Sequence, residues 1–167
     1  MEEIVNKVAN SALLVFDLED YYPEGQRYSI DISQWLLEGY VLREKDFRLQ
    51  LQQKDWTVYQ DSFVALYCST DAIVPSWAYI LVTTHLNGIA KKVYLGTIPQ
   101  LETSMYQEIL ETIDFSIYKD KSTIIKGCSK KPVPQEVYVL TTQKLLPFSK
   151  SIMYGEACSA VPLYKRK

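Results

Sequence analysis

The chain has 167 residues and a formal net charge of −2, with 47% hydrophobic and 23% charged residues. That size and composition predict one soluble α/β-sized domain, residues 1–167, able to bury its own core without staples. The charge gives no general attraction to nucleic acid or to an anionic membrane, and the only basic runs, Lys126/Lys130/Lys131 and Lys165-Arg166-Lys167, are short. No apolar run reaches the roughly 18–20 residues of a membrane span. The acidic start MEEIVN is unlike a secretory leader, so a cytoplasmic protein with its cysteines as thiols is expected.

In chain order, residues 2–12 read as a helix and 13–16 as a strand. Asp17, Glu19 and Asp20 follow, either a solvated turn before Pro23 or an acidic group suited to Mg²⁺ or a ribose hydroxyl. A second strand is expected at 27–31, with Asp31 as N-cap of a helix over 33–38. A helix over 44–54 follows, with Phe47 and Leu51 on one side.

From residue 55 onward part of the chain is written twice. Residues 55–96 and 114–155 align at an offset of 59 with one compensated single-residue slip, giving fourteen identities that include Asp55/Asp114, Cys68/Cys128, Ser69/Ser129, Pro75/Pro134, Tyr79/Tyr138 and Gly96/Gly155. Each copy runs from a short β-branched stretch (63–67; 123–126) through Cys-Ser and a loop to a proline. Proline is well placed at a helix start, and both precede helical patterns. In the first of these helices Trp77, Ile80, Leu81 and Thr84 are spaced to form a buried face. A second strand, 92–95 or 151–154, closes each unit before a glycine. Strand, helix, strand in about 40 residues is a βαβ unit with a right-handed crossover. Between the copies, 101–113 reads as a helix with Leu101, Met105, Ile109, Leu110 and Ile113 on one face. Together these predict a three-layer, mostly parallel, doubly wound α/β sheet containing an internal duplication.

The segments EIVNKVAN (3–10), DLEDYYP (17–23), IVPSWAY (73–79), KGCSKKPVP (126–134) and SIMYGEACSAVPLYKRK (151–167) resemble a Bacteroidetes protein family known as a domain of unknown function. The resemblance runs nearly the full length. It implies a bacterial cytoplasmic protein and brings no activity with it, so the residues themselves must supply the chemistry.

All three cysteines precede a serine: Cys68-Ser69, Cys128-Ser129 and Cys158-Ser159. Each is expected just past the carboxyl end of a strand, the edge at which open parallel sheets bind ligands. Three readings stand side by side. The cysteines pack as small fillers; or Cys68, Cys128 and Cys158 converge as metal ligands on zinc or iron, with an open fourth position; or Cys128 is a reactive catalytic thiol activated by Lys130, Lys131 and a helix N-terminus. Ser69, Ser129, Ser159, Lys130 and Lys131 would then bind a small anionic molecule. His85, the single histidine, sits about 15 Å down its helix from the cysteine end at 1.5 Å per residue and reads as a helix-end residue. No Gly-rich phosphate loop, nucleophile elbow or dinucleotide fingerprint occurs. Thirteen tyrosines suit an aromatic interface or ligand cleft, with association between copies left open. Two function classes therefore compete: a thiol- or metal-dependent site for a small anion, and a non-catalytic binding or assembly module.

Overall fold

Short β-branched stretches flanked by turn residues become strands, and the amphipathic runs between them become helices. The computed structural model of the chain describes residues 13–127 and 130–167. The helix read over 2–12 lies outside them. Among the described residues there are seven strands and four α-helices: β1 (Leu13–Asp17), β2 (Arg27–Asp31), α1 (Glu44–Gln53), β3 (Phe63–Tyr67), α2 (Ser76–His85), β4 (Lys92–Leu95), α3 (Ile98–Thr112), β5 (Ser122–Lys126), α4 (Gln135–Leu145), β6 (Ser151–Tyr154) and β7 (Val161–Lys165).

The fold is mixed α/β with parallel sheets, consistent with the three-layer α/β class expected from the pattern. Its strands divide between two sheets, ordered β2-β3-β4 and β1-β5-β6-β7, and every pairing except β6–β7 is parallel. The reason is local. Each βαβ copy recruits its own incoming strand, β2 onto β3 in one case and β1 onto β5 in the other. The chain accordingly separates into two compact units, Glu24–Glu102 and Met1–Pro23 with Thr103–Lys167. One core gathers Ile30, Ile32, Phe47, Leu51, Val64 and Val82; the other gathers Phe16, Leu18, Tyr106, Leu110, Ile125 and Val137.

The duplication holds bond by bond at the offset of 59. Elements begin at Phe63 and Ser122, Ser76 and Gln135, Lys92 and Ser151. The amide of Asp61 donates to Ile89 O and that of Asp120 to Phe148 O; Lys91 N donates to Ser62 O and Lys150 N to Lys121 O. Asp55 and Asp114 each accept an amide two residues on, from Thr57 and Ser116. Hydrogen bonds from those same two residues hold both carboxyls below the ordinary aspartate pKa.

Two turns also match in strain, for Asp61 has φ of 56° and Asp120 of 59°. An L-residue with a Cβ pays about 1–2 kcal/mol in that region and Gly does not. Asp61→Gly is therefore expected to be neutral or stabilising by less than about 1 kcal/mol, while Asp61→Val costs about 1–2 kcal/mol. Urea midpoints check this, and equal midpoints for the two variants would contradict it.

The repeat reaches further than sequence identity reveals. Residues 103–112 of α3 stand to the second copy as α1 does to the first: Phe47 and Leu51 correspond to Tyr106 and Leu110, all four fully buried or nearly so. The incoming strands correspond as well, at an offset of 14. Asp17 caps a 3-10 turn, Leu18–Tyr21, by accepting from Glu19 N at 3.0 Å, and Asp31 caps Ile32–Trp35 by accepting from Ser33 N at 3.0 Å. Leu18 and Ile32 sit at 0% exposure behind those caps. In chain order, one complete copy is thus inserted between the first 3-10 turn and α3 of the other.

The helix expected over 33–38 is that single 3-10 turn, with Leu36 extended as its C-cap. Of the face expected for α2, Trp77 and Leu81 pack against the core and the other half is corrected. Ala78 and Val82 are buried and followed by Leu86, whereas Ile80 is 62% exposed and Thr84 is exposed. The run 77–82 in SWAYILVTTH is apolar without a break, so spacing could not choose the inward face. Small Ala78 and Val82 let the helix approach the sheet closely, and that decides it. On α3, Leu101, Met105 and Leu110 are buried as expected, and Tyr106 and Glu102 join them.

Candidate functional site

The carboxyl ends of β2 and β3 carry a polar network built from the sequence motifs. Asp31, the last residue of β2, accepts from Ser33 N at 3.0 Å and Ser69 N at 3.1 Å through the same oxygen, and the Ser33 and Ser69 hydroxyls stand 3.1 Å apart. Burial acts to raise the Asp31 carboxyl, but the Ser69 and Ser33 hydrogen bonds outweigh it, and the pKa lies below the ordinary aspartate value. A depressed folded pKa stabilises the fold above the unfolded value, about 3.9, and that contribution disappears as pH falls through the folded value. The stability gap between wild type and Asp31→Asn is therefore expected to be widest at neutral pH and to narrow below about pH 4. Denaturant midpoints from pH 3 to 7 test this; a gap independent of pH would overturn it.

Cys68 follows β3, half-buried against the core. Its sulfur is 3.4 Å from Thr70 Oγ1, which donates its single proton to Gly39 O at 2.6 Å. With that proton committed, Thr70 can only accept, so the Cys68 S–H is the donor. Tyr79, on the first turns of α2, completes the surroundings. Its phenol is held above its ordinary pKa by burial first and by nearby Cys68 and Asp31 after that.

The equivalent edge of the other unit is arranged differently. Counted at the offset of 59 that the flanking strands and helices keep, Gly127 stands where the first copy has Cys68. A Cβ at Gly127 would meet the Tyr138 hydroxyl at 3.0 Å and Leu18 Cβ at 3.1 Å. Tyr138 corresponds to Tyr79, and its hydroxyl crowds the position the Cys68 side chain occupies in the first copy.

Cys128 and Ser129 lie outside the described residues. Of their neighbours, Lys130 is exposed and donates its amide to Glu19 Oε1 at 2.8 Å; the Lys131 amide points to the same oxygen at 3.5 Å, and the Lys131 ammonium lies 5.0 Å over the Tyr22 ring. Lys126 sits between Asp17 at 3.5 Å and Glu156 at 3.3 Å. Of the acidic residues here, Asp17 is thus engaged in a cap and an ion pair and Glu19 in amide hydrogen bonds, while Asp20 is exposed. Cys158 and Ser159 occupy an exposed turn after β6, where Ser159 N donates to Glu156 O. Among the described residues no group of three His, Cys, Asp or Glu side chains is placed to hold a metal ion. His85 stacks on Trp56 at 5.2 Å, at the end of α2.

One feature at this edge had no sequence signal. A groove of about 480 Å³ opens between α4 and the ends of β5 and β6, lined by Ile125, Val133, Gln135, Tyr138, Val139, Thr142, Gln143, Tyr154 and Leu163. Tyr138 and Tyr154 meet edge to face at 5.7 Å across its floor. None of the lining side chains is charged. The signal that could have found it, the apolar Val139, is hidden in a helix whose neighbours are equally apolar.

The fold and this edge define a duplicated parallel α/β protein whose strand-end loops are closed by internal carboxylates. No helix among the described residues is long and apolar enough to cross a membrane. The chain belongs to the family described as protein of unknown function (DUF2480), whose model matches residues 2–166. No curated protein matches it. No solved structure matches it either.

Proposed function

We propose that the protein is a non-catalytic binding module whose cysteines are structural and whose partner site lies at the carboxyl edge of the parallel strands. The observation that carries this is the occupation of the loop amides. Asp31 takes the Ser69 amide in one unit and Glu19 takes the Lys130 amide in the other, so each loop's anion position already holds a carboxylate of the same chain. A small anionic ligand would have to displace it. Cys68, donating its S–H to a threonine and packing against the core, serves as a small filler.

The competing reading is a thiol- or metal-dependent site for a small anion, using Cys128 with Lys130 and Lys131. One experiment separates the two. Protein purified without chelator is assayed for zinc and iron, and the Cys68→Ala/Cys128→Ala/Cys158→Ala variant is compared with wild type. The module reading expects no stoichiometric metal and a folded variant weakened by only about 1–2 kcal/mol, the cost of one hydrogen bond and some packing. Stoichiometric metal in wild type that the variant loses would overturn it.

A further inference from the structure

We infer that the groove between α4, β6 and β7 is a binding site for a small, neutral, largely apolar molecule, a deepening that rests on the module reading above. Three observations converge on it. The volume, about 480 Å³, falls in the range of small-molecule sites. The lining is aliphatic and aromatic, with Gln135, Thr142 and Gln143 as its polar members and no charge, so a neutral ligand loses no ion hydration on entering while a charged one finds no counter-ion. Thr142 donates its hydroxyl proton to Tyr138 O and keeps only acceptor capacity, so the two glutamine amides are the donors on aliphatic side chains that can orient a hydroxyl or carbonyl on the ligand.

The third observation concerns β7. It has no counterpart in the first copy, whose sheet ends at β4. None of its five residues is buried, and Val161 and Leu163 are 54% and 63% exposed. A strand that adds nothing to the core is nonetheless fastened closely. Arg166, just beyond it, donates to Asp120 Oδ1 at 2.9 Å and to Phe148 O at 2.9 Å. What β7 supplies is the Leu163 wall of the groove. The matching helix face of α2, with Tyr79, Ile80 and Thr83 in place of Tyr138, Val139 and Thr142, lacks that wall and runs on to Lys91 and Lys92.

The test is a titration of the full chain with the neutral fluorophore N-phenyl-1-naphthylamine, followed by displacement with decanol and with decanoate. The expected result is one saturable site per chain. Val139→Glu and Leu163→Glu, both on exposed positions, weaken it at least about tenfold by placing a carboxylate against the apolar ligand. Ile80→Glu, the same change on the other copy, leaves it intact. Decanol displaces the probe and decanoate is at least about tenfold weaker. Failure of the fluorophore to bind, or equal losses for Val139→Glu and Ile80→Glu, overturns the site. Decanoate matching decanol overturns the neutral-ligand assignment. Neither outcome bears on the module reading, which stands or falls on the metal and cysteine measurements.

Discussion

Glu102→Leu is expected to destabilise the protein by about 3–5 kcal/mol, because it leaves the Arg27 guanidinium buried without its counter-charge. The two side chains are 6% and 12% exposed. Arg27 grips the carboxylate with both Nε and Nη2, the latter at 3.1 Å, donates from Nη1 to Gly25 O, and lies 4.9 Å over the Phe63 ring. Such a pair costs much to desolvate and is strongly destabilising only when one partner is removed. The double variant Arg27→Met/Glu102→Leu should therefore recover most of the loss, since it removes both charges and keeps the volume. Urea unfolding of the two single variants and the double variant forms the cycle. A single-variant loss below about 1 kcal/mol would place the pair in solvent instead.

Phe47→Ala is expected to cost about 3–5 kcal/mol, through lost transfer energy and the cavity left behind. Phe47 is 0% exposed and packs edge-on against both Trp35, at 6.1 Å, and Trp77, at 5.9 Å. Its counterpart Tyr106 is equally buried but spends its hydroxyl on Leu18 O, at 2.9 Å. Tyr106→Phe should thus cost only about 1–1.5 kcal/mol, the hydrogen bond without the ring. The comparison isolates the ring term at one position and the hydroxyl term at the other, within the same architecture. Denaturant midpoints and slopes read both out; a loss for Tyr106→Phe as large as that for Phe47→Ala would mean that the two positions are not equivalent.

The sequence by itself determined the α/β class, the strands from β1 to β6 to within a residue or so, and the βαβ duplication, because short apolar runs, turn residues and the offset of 59 are local signals read without knowing neighbours. It also marked Asp31 as a cap, since capping needs only the residues just ahead. What required the tertiary structure was everything settled by which strand pairs with which. The partition into two sheets followed from β1 choosing β5 and β2 choosing β3, pairings whose partners lie far apart in sequence. The wider duplication stayed hidden because Phe47 and Tyr106, or Leu18 and Ile32, share burial rather than identity. The inward face of α2 was illegible because residues 77–82 form an unbroken apolar run, and Ala78 and Val82 are the two buried outright. That Gly127 stands opposite Cys68 was equally invisible, since the matching Cys-Ser pairs invite an alignment with a slip. A Cβ on Gly127 would press to 3.0 Å against the Tyr138 hydroxyl, a steric fact that exists only once the helix has packed onto the strand.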